Sequence, residues 1–272
     1  ASIQHFENLL ERGIKIVWTV HNSIPHDALH REPDVALRQW LAQHADLILI
    51  HSDATIPALE AYGIQLDLGK TIHMQHGSYA GYYPNTVGRA DAREFLGIDE
   101  AQTVFLSLGQ IRRYKGIERV IDAAYALRET HTDIIFIIAG EFKPEMRDLF
   151  DIAQSLPNVI VHDARVPDWM LQYFFNAADF SLYTSRKVLN SGSLILARSF
   201  GTPALAPRLP TLEFEVQTSD GILYDEHADL RDVVLDAATR CFSDQQRQEI
   251  LAHGLATRWD NVLPKNLFTV EL

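Results

Sequence analysis

The residues best suited to chemistry lie in the stretch from Val104 to Ala124. An apolar run, Val104 to Leu108, meets Gly109, and the loop beyond carries Arg112, Arg113 and Lys115. A planar guanidinium and a mobile ammonium suit a diphosphate. The apolar run reads as a buried strand. Ile117, Val120, Ile121, Ala124 and Leu127 recur at a spacing that predicts a helix opened by Gly116. A loop between strand and helix holds its cations at the carboxyl end of the strand, where open α/β sheets keep their ligands. Taken alone, the segment reads equally well as a solvated basic loop.

A second feature is Asn190-Ser-Gly-Ser193, just before a helix predicted from Leu194 to Phe200. A helix N-terminus offers unpaired amides and a dipole that favours an anion. Gly192 permits close backbone approach, and Ser191 or Ser193 can cap; the plainer reading is an ordinary N-cap. Three predicted strands in the first part end on histidine, at His21, His51 and His76. His21 is the sharpest of them, because a neutral imidazole at a strand end can donate to a sugar hydroxyl or a leaving oxygen. His51 reads better as a surface or capping histidine. His26 and His30 have the spacing of a metal pair on a helix, but no third ligand is evident, so no metal site is expected.

Elements that would position these residues follow from periodicity. Strands are predicted at Ile14–Val20, Leu47–Ile50, Ile72–Gln75, Val104–Leu108, Asp133–Ala139, Val159–His162, Phe180–Tyr183 and Ala204–Ala206, with helical spacing between most of them. That alternation predicts an α/β fold with parallel sheets covered on both faces. The run from Ala80 to Gly88 is rich in turn residues and reads as a linker. The 272 residues suffice for one large or two ordinary domains, and at 47% hydrophobic they can fill a core. A formal net charge of −12 argues against broad nucleic-acid binding and makes the basic loop a local exception. One cysteine, Cys241, excludes an internal disulfide and fits a reducing compartment. No apolar run approaches membrane-spanning length, and no signal peptide is expected.

The order of these features resembles the retaining glycosyltransferases of family 4. Gly109-Gln-Ile-Arg-Arg-Tyr-Lys-Gly116 is similar to the family's Gly-Arg loop ending in Lys-Gly, and Ala139-Gly-Glu141 to its next Gly-rich turn. Ser185, Gly201-Thr-Pro203 and Asp220-Gly-Ile-Leu223 match later landmarks. Val17-Trp-Thr-Val-His-Asn22, Ala45 to Ser52 and Gln75-His-Gly-Ser78 resemble those of its N-terminal half.

The resemblance implies two Rossmann-like domains in the GT-B arrangement: an incomplete N-terminal acceptor-side domain, 1–86, and a nucleotide-sugar-binding domain with C-terminal helices, 87–272. It implies a bacterial, metal-independent hexosyltransferase of polysaccharide biosynthesis that uses a UDP- or GDP-sugar and retains anomeric configuration. The acceptor would be a saccharide or lipid-linked hydroxyl. The location would be cytoplasmic, with peripheral contact at the inner membrane face where the acceptor is lipid-linked; no cofactor and no nucleic-acid partner are expected. Lys115, with Gly109 and Arg112, would hold the donor diphosphate, and Ser191, Gly192 and Ser193 its distal phosphate. His21 would serve catalysis at the donor sugar. Asn190, Glu141, Arg165 and Val166 would face the sugar and base.

Two departures stand out. Gln110 replaces the family's arginine after the first glycine, with Arg112 the preferred substitute. The paired glutamates around the helix that ends in Gly201 are replaced by Val188 and Leu196. Some exopolysaccharide-type members look similar there. Two other readings remain: a GT-B nucleotide-sugar epimerase, for which Glu141 is one of few candidate carboxylates, and a non-enzymatic nucleotide-sugar-binding module.

Overall fold

The computed structural model describes residues 3–22, 31–185, 191–213, 215–216 and 219–263. The chain forms two compact units, the first running to Gly77 and regaining the chain from Trp259, the second beginning at Ser78 and ending at Arg258. The stretch expected to link two domains, 80–88, therefore belongs to the second unit.

The first unit contains α1 (Ile3–Glu11), β1 (Val17–Thr19), α2 (Arg31–His44), β2 (Leu47–Ile50), α3 (Thr55–Glu60) and β3 (Thr71–His73). Its three strands form a parallel sheet in the order β1-β2-β3. The apolar run Leu47–Ile50 is buried on both faces, as a central parallel strand demands. On one face Ile48 and Ile50 pack with Trp40, Leu41 and Leu59; on the other, Leu47 and Leu49 pack with Met74 and Trp259. β1 is shorter than the β-branched run from Ile14 predicts, because only Val17, Trp18 and Thr19 find partners on β2.

The second unit holds α4 (Arg89–Leu96), β4 (Thr103–Leu108), α5 (Ile117–Leu127), β5 (Ile134–Ala139), α6 (Arg147–Ser155), β6 (Val159–His162), α7 (Leu171–Ala177) and β7 (Phe180–Leu182). It continues with α8 (Gly192–Arg198), β8 (Ala204–Pro207), α9 (Pro210–Glu213), β9 (Gly221–Tyr224), α10 (Leu230–Ala238) and α11 (Asp244–Ala256), while α12 (Trp259–Val262) belongs to the first unit. The six strands are parallel, ordered β6-β5-β4-β7-β8-β9. Pleating sends alternate residues of β4 to opposite faces. Phe105 packs with Phe136, Phe180 and the α5 residues Val120, Ile121 and Ala124. Val104 and Leu106 pack with Ile135, Ile137 and α7's Phe174. Each fully buried phenylalanine contributes about 2–3 kcal/mol in transfer free energy.

Candidate functional site

The order of the second sheet reverses at β4. The chain adds β5 and β6 on one side of it, then returns to place β7 on the other. In an open parallel sheet, the crevice outside the carboxyl ends at such a reversal is where ligands bind. The 109–116 loop leaves β4 there, and α8, which carries Gly192 and Ser193 in its first turn, follows β7.

Main-chain bonds build the 109–116 loop. Gly109 N–H donates to the Ala139 carbonyl at 2.9 Å, and Ile111 N–H to the Glu141 carbonyl at 3.0 Å, extending the β4–β5 ladder past its formal end. Gly140 makes this possible. Its φ is 150°, and a Cβ there would lie 2.0 Å from the Gly109 carbonyl oxygen, which no side chain tolerates. On the β7 side, Thr184 Oγ1 donates to the Lys115 carbonyl at 2.6 Å and Ser185 Oγ to the Tyr114 carbonyl at 3.2 Å. Sequence reading took Thr184 and Ser185 as a strand end; their side chains clamp the loop, a role that polar residues at strand ends hint at but do not prove.

This clamp folds Lys115 back over the start of its own loop. A Cβ placed on Gly109 would sit 2.8 Å from Lys115 Nζ. The ammonium is pulled below the usual lysine pKa, first by burial and then by the charge of Arg112. No carboxylate among the described residues acts on it. A desolvated cation without a counter-charge attracts an anion strongly. Arg112 Nε donates to Gln110 Oε1 at 3.2 Å, so the residue replacing the family's arginine positions the arginine two places on.

At α8, Ser191 Oγ accepts from Leu194 N–H at 3.3 Å, which commits that hydroxyl oxygen to capping. Gly192 and Ser193 occupy the first turn, where amides have no intrahelical acceptor. The helix start is held by Tyr183, a buried phenol that donates to the Ser193 carbonyl at 2.8 Å; burial raises its pKa. Asn190, Val188 and the His26/His30 pair lie outside the described residues. Leu196 packs partly buried against the α7 side of the core, so the second glutamate's place is an apolar packing position here. Glu141 is exposed and its Oε2 pairs with Lys143 Nζ at 2.9 Å. Arg165 is exposed in the loop after β6, while Val166 packs on the core.

In the first unit the three strand-end histidines cluster. The ring of His51 lies 5.5 Å from that of His21 and 4.8 Å from that of His76, and His76 is 5.0 Å from Trp259. His21 is exposed. His51 is not the surface or capping residue expected from sequence: it is 0% exposed, and its Nδ1 donates to the Met74 carbonyl at 2.8 Å. The β2–β3 pairing brings Met74 beside it, which single-strand patterns do not reveal.

The fold is a parallel α/β fold with a candidate site at the sheet reversal, and residues 88–254 match the glycosyl transferases group 1 family, to which the chain belongs. Among its relatives is the GDP-mannose:glycolipid 4-beta-D-mannosyltransferase of Xanthomonas campestris pv. campestris, 26% identical over 206 residues. These make up 72% of this chain and 50% of that enzyme. The alpha-monoglucosyldiacylglycerol synthase of Streptococcus pneumoniae is 25% identical over 151 residues, 54% of this chain and 34% of the synthase. The chain thus spans half the length of the Xanthomonas relative, and less of the other. Its fold matches HepE of Anabaena, solved in complex with UDP and glucose, with a TM-score of 0.71 at 16% identity, covering 92% of this chain and 69% of HepE. WaaG, a glycosyltransferase involved in lipopolysaccharide biosynthesis, aligns with a TM-score of 0.72 at 16% identity over 95% of this chain and 78% of WaaG. The architecture is GT-B. Among the described residues no helix is long and apolar enough to cross a membrane.

Proposed function

We propose that this chain transfers a hexosyl group from a UDP- or GDP-sugar to a hydroxyl of a saccharide or lipid-linked acceptor. The observation that carries the reading is the desolvated Lys115 ammonium folded over Gly109 at the sheet reversal, with no carboxylate partner among the described residues. Lys115 and Arg112 balance the charge that develops on the diphosphate as the sugar leaves, and the Gly192 and Ser193 amides hold the distal phosphate. Those cations do the work that a metal would otherwise do. His21 contacts the donor sugar. Glu141, Arg165, Val166 and Asn190 are assigned to sugar and base. Relatives that act on a glycolipid or make a glucosyldiacylglycerol support a lipid-linked acceptor, and with it work at the inner membrane face.

Calorimetry with UDP and GDP tests the donor site. One nucleotide binds at micromolar Kd, and Lys115→Ala weakens it about 10- to 100-fold, as loss of a charge-assisted contact predicts. Binding of neither would overturn the site. Binding without turnover of the sugar nucleotide would favour the non-enzymatic module, for which the replaced glutamates speak. Retention, the outcome the family resemblance implies, is read from the anomeric coupling of the product by NMR; relatives named for a β-mannosyl and an α-glucosyl product make this the decisive stereochemical test.

A further inference from the structure

Lys115 closes one short helical turn, Arg113–Lys115. Its N–H donates to the Arg112 carbonyl at 3.0 Å, and Gly116 N–H donates to the Arg113 carbonyl at 3.2 Å. A turn this short does not hold itself, because its bonds are poorly aligned and helix formation is cooperative over longer runs. The lysine stem is flexible, so its ammonium stays over Gly109 only if the main chain at Lys115 keeps its place. Something outside the turn must therefore fix it.

The end of β7 does so. Thr184 Oγ1 donates to the Lys115 carbonyl at 2.6 Å, and Thr184 is buried, so water competes little for the bond. A Cβ on Gly116 would lie 2.9 Å from the Thr184 carbonyl oxygen, which puts strand end and turn in direct contact. The strand end is itself held on both sides. Tyr183 N–H donates to the Leu205 carbonyl at 2.8 Å, and the Tyr183 carbonyl accepts from the Tyr224 hydroxyl at 2.6 Å. Threonine carries two heavy atoms on Cβ, which restricts χ1 and keeps the hydroxyl aimed. Ser185 Oγ adds a longer bond, 3.2 Å, to the Tyr114 carbonyl.

We infer that Thr184 is a positioning residue for Lys115: its hydroxyl fixes the turn that keeps the lysine ammonium over Gly109, and thereby sets the affinity for a diphosphate. The one hydrogen of that hydroxyl is spent on the Lys115 carbonyl, so Thr184 acts through the lysine's main chain. The inference rests on the proposed diphosphate site, but the first arm of its test needs no nucleotide.

NMR of the chain labelled in its lysines, with Lys115 assigned by its absence in Lys115→Ala, follows the titration of that ammonium. In the native chain it titrates below the ordinary lysine value, because burial and then Arg112 disfavour its charge. Thr184→Val keeps the side chain's shape but removes the hydroxyl. The turn loosens, the ammonium reaches water, and its titration moves up; Thr184→Ser restores it. Calorimetry shows UDP or GDP, whichever binds, held about 2- to 10-fold more weakly by Thr184→Val, the worth of one hydrogen bond. On a Lys115→Ala background the same change has little further effect, because both act on one contact. Thr184→Ala gives the same reading where the valine variant does not fold. A Lys115 titration indifferent to loss of the hydroxyl, or losses of affinity that add, would overturn the inference. If the titration moves as stated and neither UDP nor GDP binds, it is the sugar-transfer reading that falls.

Discussion

His76 is kept uncharged by folding. Burial, opposed by its bond to Gly77 and reinforced by His51 and His21, lowers its pKa from the ordinary 6.5 to about 4. An unfolded chain therefore binds more protons than the folded one between those values. Stability is full above pH 6.5 and is lost as the pH falls toward 4. The shift corresponds to about 3 kcal/mol. Urea titrations of the first unit across that range should show the loss, and His76→Gln should flatten most of it. An equally steep profile in the variant would assign the effect elsewhere. Histidines at three strand ends were legible in the sequence because the strands were. Their depth was not: what buries His51 and His76 is the neighbouring strand and Trp259, which returns from the far end of the chain.

At the scale of elements, the strands of the second unit were legible where apolar runs are long. β5 was plain, because six consecutive apolar residues suit a strand buried on both faces. β9 was read only as the turn after Asp220, since its short, half-buried run lacks that signature. The 109–116 loop was legible as a loop, but not its path, which depends on carbonyls at and just beyond the end of β5 and hydroxyls after β7. Asp179, just before β7, shows how elements are tied together. Its carboxylate accepts from Val104 N–H at 2.8 Å and from Arg93 Nη2 at 2.7 Å, and pairs with Arg89. Arg93 is 2% exposed. Asp179→Ala strands a buried cation, so unfolding in urea should show a loss of about 3–5 kcal/mol. A loss under 1 kcal/mol would mean that water reaches the pair.

At the scale of the molecule, composition marked 80–88 as the break between domains, whereas the compact units divide between Gly77 and Ser78. Ser78 N–H donates to the Thr257 carbonyl at 2.8 Å, a pairing across most of the chain that no local pattern announces. The first unit in turn depends on Trp259, whose ring lies where a side chain at residue 77 would go: a Cβ on Gly77 would come 2.3 Å from it. Gly77→Ala should therefore destabilise the first unit by about 1–3 kcal/mol through overpacking. Trp259→Ala made on that background should remove the added penalty, because the two changes relieve one clash. Independent, additive losses would show that the indole is not what excludes a side chain there.

The 109–116 loop takes its shape from glycine, main-chain bonds and two hydroxyls just beyond another strand. Such a loop can change its side chains without changing its path, so the ligand preference of the proposed donor site can be retuned while the scaffold stays intact. Gln110, standing where the family's arginine is customary, is a side-chain change of that kind.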